Sequence, residues 1–528
     1  MGGCPLPASG QGPPDVSPTG SAAAEVPSQA AAGPADLDGR VARGLPGPCV
    51  PAREPLMSDT VTPAEGAAPG LARDLSAFSL VCIGLGATIG AGIFVLTGTA
   101  AADYAGPALS LSFVLGSIAC AFVGLCYAEL AAMIPAAGST YTYTRATLGE
   151  LAAWIVGWDL VLEFAFAAAT VAVGWSGYAQ SLLADFGLAL PPALAAAPGA
   201  GGLVNLPAGL IVLALTALLA RGTAGAARAN AALVLLKVAI ILAFLGIGLA
   251  HLKPALWSPF VPENTGTFGQ YGWSGVLRGA GVVFFAFIGF ETVSTAAGET
   301  RDPKRDAPVG LLGSLALTTL LYVAVAIVLT GLVPYRDLGV ADPIARAVDA
   351  IGLGGFAVVI KLGALLGLTT SALTALYGQA RIFYAMARDG LLPAAFARVD
   401  PVRRTPALSQ GVIGLGTALV AALVPIEVLG ELVSIGTLLA FCLVCAAVPI
   451  LRRREPDRPR PFRVPAAPLV AALGILACLA LMAGLPGDTW IRLAVWLVLG
   501  LALYGGYGRA HARRLRALTP PGADPPAR

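Results

Sequence analysis

The sequence predicts an all-α integral membrane protein with about twelve transmembrane helices. Three observations lead there. Only 12% of the 528 residues are charged and 57% are hydrophobic, whereas a soluble domain carries about 25% charged residues. Apolar runs recur from Leu75 to Tyr507, and a run of roughly 20 residues crosses about 30 Å of hydrocarbon as a helix. Lys and Arg also segregate between alternate connections, as they do in multi-spanning proteins.

The expected spans are 76–100, 107–134, 149–184, 204–220, 230–250, 275–299, 309–333, 354–386, 408–424, 428–451, 467–484 and 489–508. With the N-terminus inside, the inner connections receive Arg145, Arg221, Arg301, Lys304, Arg305, Arg388 and a run from Arg452 to Arg463. The outer ones receive only Lys253, Arg278, Arg336, Arg346 and Arg492. This asymmetry fits a multi-pass plasma-membrane protein with both termini cytoplasmic. It also ties the basic clusters to the membrane, so no nucleic-acid partner is expected.

Ahead of the first span, residues 1–70 are rich in Ala, Gly, Pro and Ser and read as a disordered cytoplasmic tail. They lack a signal-peptide core, and Leu6 stands where a myristoylation signal needs Ser or Thr. Met57 is an alternative start. Residues 509–528 read as a second cytoplasmic tail. Cys442 and Cys445 have redox or zinc spacing, but inside an apolar helix they read as small packing residues. The chain has only two histidines, so no metal ion and no cofactor are expected.

The first span is interrupted by Gly84, Gly86, Gly90 and Gly92, and the sixth carries Gly281, Gly289 and Glu291. Glycine-interrupted segments at corresponding positions in two halves point to an inverted-repeat transporter. The halves would be about 74–252 and 275–451, within a core of 74–451, followed by two additional helices at 464–508. Unwinding a helix at membrane depth frees backbone N–H and C=O groups, a cost that a ligand or wet cavity offsets. Freed N–H groups attract a carboxylate and freed carbonyls an ammonium. A zwitterionic amino acid needs both. Two competing roles would use the same glycines: close helix packing through Gly86-x-x-x-Gly90, and a dinucleotide-binding turn, which would need a preceding strand.

Ionisable groups at membrane depth are functional candidates. Asp159 and Glu163 share a face of the third span, and Glu163 lies roughly 18 Å in from Leu151. Lys237 lies about 12 Å from the inner end of the fifth span. Glu129 and Asp159 read as structural groups tying helix ends to loops, and Lys361 as snorkelling outward. Glu291 either acts in transport or caps the freed backbone beside it. Phe284, Phe285, Phe287 and Phe290 flank the sixth-span break, and one of them is placed to lid a substrate.

The stretches GLGATIGAGIFVLTG, YAELAAMIPAAGSTYTYTRATLGEL, GWDLVLEF, GFETVSTAAGETRDPKRDAP and GQARIFYAMARDGLLP resemble, in this order, the amino acid, polyamine and organocation transporters. The likeness is greatest to bacterial relatives of the cationic amino acid transporters and covers about residues 74–450. It implies a LeuT-type fold of two inverted sets of five helices and alternating access around a central site. It further implies that the N–H groups of Gly90, Ala91 and Gly92, with Ile93 beside them, receive a substrate carboxylate. Carbonyls near Thr88, Phe285, Ala286 and Ile288 would receive the ammonium. Phe285 matches the family's gating aromatic, and Ala91 stands where relatives often carry Ser or Thr.

By the same resemblance, Lys237 takes the place of the sodium ion of sodium-coupled cousins, beside first-span carbonyls and eighth-span hydroxyls around Thr369. Glu163 matches a third-span carboxylate implied to take a coupled proton. The expected activity is an amino acid permease without enzymatic function, moving L-amino acids with protons through the lipid bilayer. Neutral substrates are favoured by the small residues Ala91, Ala165 and Ala286. The alternatives are a cationic amino acid transporter, an exchanger without net proton coupling, and a non-transporting amino acid sensor. A small membrane partner is left open.

Overall fold

The computed structural model describes residues 75–134, 139–221, 226–400 and 405–518. The expected N-terminal tail, the start at Met57 and residues 519–528 lie outside them. No strand forms among the described residues, where the β-type pairing is an isolated bridge between Leu75 and Thr300.

By length and composition, nine helices among the described residues suffice to cross a membrane: 92–133, 150–185, 232–249, 272–295, 303–332, 354–388, 426–454, 467–484 and 487–514. Three shorter apolar helices, Ala77–Thr88, Leu206–Ala220 and Ala407–Leu423, lie on the expected first, fourth and ninth spans. The first is short because the chain unwinds after Thr88, where Ile89 takes extended angles (φ −74°, ψ 96°). It then resumes at Gly92 and stays helical to Ala105, beyond the expected end at 100. The C-terminal tail expected from 509 begins as a helix, Arg509–Leu518.

Long apolar side chains such as Leu235, Leu320 and Ile491 point outward, 58%, 68% and 63% exposed. On a soluble protein such faces would be liabilities, but they suit acyl chains. Between helices, small residues let backbones approach. A Cβ on Gly84 would lie 2.4 Å from Ser314 Oγ, and one on Gly310 would lie 2.5 Å from Leu80 Cβ. The half-helix Ala77–Thr88 thus lies flush on the seventh span, Pro303–Leu332. For Gly84, close packing is the role the geometry gives.

The third span, Glu150–Asp185, has 36 residues and is ~54 Å long, well beyond a bilayer's apolar thickness. Two indoles clasp it to the twelfth span. Trp154 Nε1 donates to the Gly500 carbonyl at 2.9 Å and Trp158 Nε1 to the Trp496 carbonyl at 2.8 Å. Trp158 and Trp496 stack with centroids 4.6 Å apart. Each indole N–H therefore finds an acceptor, as a buried donor must.

Candidate functional site

The break in the first span frees carbonyls on one side and amides on the other. The ammonium of Lys237, 1% exposed, donates to the carbonyls of Gly86 at 3.2 Å and Ile89 at 3.0 Å and to Ser371 Oγ at 3.0 Å. A lysine has three N–H donors, and all three are engaged. The Tyr322 hydroxyl donates to the Thr88 carbonyl at 2.8 Å, while the Thr88 hydroxyl turns back to the Gly84 carbonyl. The resumed helix makes its first bond from Phe94 N–H to the Gly90 carbonyl at 3.2 Å. The N–H groups of Gly90, Ala91, Gly92 and Ile93 precede it and have no acceptor within that helix.

The eighth-span hydroxyl beside Lys237 is Ser371, not Thr369. Thr369 Oγ1 donates to Leu365 in its own helix at 2.7 Å. Two residues along a helix turn a side chain by roughly 200°, so one of the pair faces the lysine and the other faces away.

In the sixth span, Gly272–Val283 tightens to a 3-10 turn over Phe284–Phe287 before Ile288 becomes extended. Gly289 has φ 116°, and a Cβ there would meet the Ala87 backbone at 2.8 Å. Both conditions require glycine. The Gly289 N–H donates to Glu291 Oε1 at 3.1 Å and Oε2 at 2.9 Å, so Glu291 does cap the freed backbone. The two breaks cross where a Cβ on Gly92 would stand 2.3 Å from Ala286 Cα. Phe287 packs on Phe113 and Tyr322, Phe290 on Tyr127 and Phe441, and Phe284 on Phe441. Of the four phenylalanines, Phe285 alone lines the cavity between the breaks.

That cavity has a volume of about 60 Å³ and is lined by Thr88, Gly90, Ala91, Phe285, Ile288, Glu163 and Glu291, among others. Glu163 and Glu291 thus face the same small space, where each carboxyl feels the other's charge. Gly92 and Ala286 form the crossing rather than the wall, Ile93 is wholly buried, and Lys237 stands behind Ser371.

Sequence reasoning missed Ala167 and Val171, which follow Glu163 at i+4 and i+8 on the same face, and Phe164 beside it. It also missed Ser371, Thr374 and Ala375 on the eighth span. Helical spacing from Glu163 was the available signal for the third-span residues. Nothing local marked Tyr322.

The remaining intramembrane charges divide. Glu129 accepts from Arg452 Nε at 2.9 Å and Nη2 at 2.5 Å and from the Val464 N–H at 2.8 Å, a structural tie. Lys361 does not snorkel: it is 3% exposed and bonds both Asp185 oxygens, at 2.9 and 2.7 Å, because a carboxylate lies within reach. Among the described residues, Asp159 makes no such tie. It is 2% exposed, and neither oxygen has a hydrogen-bond partner among the described residues.

Comparison with known proteins decides the family. A family model described as amino acid permease matches residues 75–503. The chain belongs to the amino acid permease family. The permease is 45% identical over 451 residues to the methylthioribose transporter of Bacillus subtilis, covering 85% of this chain and 96% of that one. It is also 45% identical over 448 residues to the branched-chain amino acid permease BcaP of Bacillus subtilis, with 84% and 94% covered. The vacuolar cationic amino acid transporter 4 of Arabidopsis thaliana is 39% identical over 392 residues, 73% of this chain and 64% of that one. These relatives are named as transporters or permeases, and this multi-pass membrane permease is not an enzyme.

Proposed function

We propose that the permease moves neutral L-amino acids across the plasma membrane by alternating access, coupled to protons, with the LeuT-type inverted-repeat arrangement and both termini cytoplasmic. The observation that carries this reading is the pair of breaks meeting at one small cavity. The amides of Gly90 and Ala91, on the cavity wall, supply positive backbone ends for a carboxylate. The carbonyls of Phe285 and Ile288, from the sixth-span side of the same cavity, receive the ammonium together with the second lone pair of the Thr88 carbonyl.

A neutral side chain is favoured because the wall beside the break is Phe164, Ala167, Val171 and Ala375. A cationic side chain would need a free carboxylate, yet Glu291 already receives the Gly289 N–H on both oxygens. The name of the branched-chain permease relative supports an apolar side chain. Glu163, facing Glu291, is the group that takes the coupled proton. Lys237 fills the cation position that would otherwise attract sodium, since a fixed ammonium repels a second cation.

The test is uptake of radiolabelled leucine into proteoliposomes, with and without an imposed pH gradient. Unlabelled valine, arginine and methylthioribose serve as competitors. Valine is expected to compete and an acidic exterior to drive accumulation. Competition by arginine alone, or uptake indifferent to the gradient, would reject the corresponding half of the reading.

A further inference from the structure

Asp159 belongs neither to the cavity wall nor to the lysine cluster. It lies one turn, about 6 Å of rise, toward the Glu150 end from Glu163, and the backbone between and beyond them is irregular, with a π-helical turn over Leu162–Phe166. Such turns concentrate at functional sites. Its carboxyl is buried with both oxygens unpartnered among the described residues, and a carboxylate fixed there in ionised form is costly.

Space is nonetheless kept for it. Gly436 on the tenth span lacks the Cβ that would stand 2.8 Å from Asp159 Oδ1, and the next residue, Thr437, near the Glu163 carboxyl, has a buried hydroxyl without a hydrogen-bond partner among the described residues. The tenth span therefore faces both carboxyls with a gap and a hydroxyl. The other elements packed on this stretch present Tyr141 and Met386 opposite Gly157, and Trp496 and Gly500 opposite Trp158 and Trp154. Tyr141 is the titratable group among them, and its hydroxyl is bonded to Asp389. Glu163 interacts electrostatically with both Asp159 and Glu291.

We propose that Asp159 is a second proton-carrying carboxyl, relaying the coupled proton between Glu163 at the cavity and the cytoplasmic side of the third span. The proposal rests on the proton-coupled reading of the permease. Asp159 rests as the neutral acid, the form that a buried and unpartnered carboxyl favours. In the inward step it releases its proton to cytoplasmic water, and the Glu163 acid then reprotonates it, so that Asp159 is neutral again and Glu163 is left ionised beside Thr437. The Asp159 carboxylate exists only between these two transfers and needs room more than a fixed partner.

The test compares the wild type with Glu163→Gln, Asp159→Asn and Asp159→Glu in proteoliposomes. It measures leucine accumulation driven by a pH gradient, interior acidification by a trapped dye, and leucine–leucine exchange. For Asp159→Asn, gradient-driven accumulation and dye response are expected to fall by about tenfold or more, as for loss of a proton-transfer group, with exchange falling far less. Asp159→Glu is expected to restore accumulation with a displaced pH profile.

Wild-type accumulation and acidification in Asp159→Asn would overturn the relay while leaving the coupling reading intact. If Asp159→Asn loses exchange as well, Asp159→Glu decides: a displaced pH profile supports the relay, and an unchanged profile overturns it. A wild type that does not acidify the interior refutes proton coupling itself, and the relay with it.

Discussion

Lys237 Nζ stands 3.0 Å from Ser371 Oγ, and the same hydroxyl lies 3.1 Å from the Ile89 carbonyl that the lysine also binds. Three helices, the first, fifth and eighth, are therefore joined at one unwound residue.

Ser371→Ala is expected to lower leucine uptake about tenfold, since a hydrogen bond to a charged group contributes roughly 1.5–3 kcal/mol. Thr369→Ala should stay near wild type, because its hydroxyl serves only its own helix. Uptake assays on the two variants check this, and the reverse order would refute the placement.

Lys237→Ala removes all three bonds at once and leaves the Gly86 and Ile89 carbonyls without their donor. Uptake is expected to vanish while membrane insertion, followed by fractionation, persists. Thermal unfolding in detergent should show a loss of several kcal/mol.

Gly92→Ala drives a methyl group into the Ala286 backbone. Overpacking of this kind costs about 1–3 kcal/mol or more. Here it also pries the two breaks apart, so uptake should be lost together with a lowered melting temperature. A fully active Gly92→Ala would mean that the breaks do not cross at this point.

Phe285→Ala takes away the aromatic that faces the cavity and leaves the packed ring cluster of Phe284, Phe287 and Phe290 in place. Apparent KM for leucine is expected to rise about tenfold, in line with the loss of a buried aromatic contact, with little change in stability. Uptake kinetics and a melting curve separate the two effects.

The broken helices were legible because Gly90, Gly92 and Gly289 have no ordinary reason to interrupt apolar runs at corresponding places. The depth of Glu163 and Lys237 followed from rise per residue alone. What escaped was rotation about helix axes. Ser371 was missed for Thr369 because an all-round apolar helix gives no moment to say which hydroxyl faces inward. Charge partners escaped for a related reason: the Asp185 beside Lys361 is 176 positions away in sequence. That Asp159 has no hydrogen-bond partner among the described residues was equally invisible, since an unfilled pairing depends on every neighbour at once. Tyr322 came from a helix with no interruption and no charge at that depth.

The clasp between Trp158 and Trp496 bears on how the machine divides into moving and stationary parts. A stacked indole pair reinforced by two carbonyl bonds ties the third span to the twelfth. If the first and sixth spans swing as the proposed alternating access requires, the twelfth span would serve as a stator mount for the carboxyl-bearing wall. On the proposed function, a chain ended before Gly487 should still enter the bilayer and still bind leucine, but with its uptake no longer driven by the pH gradient.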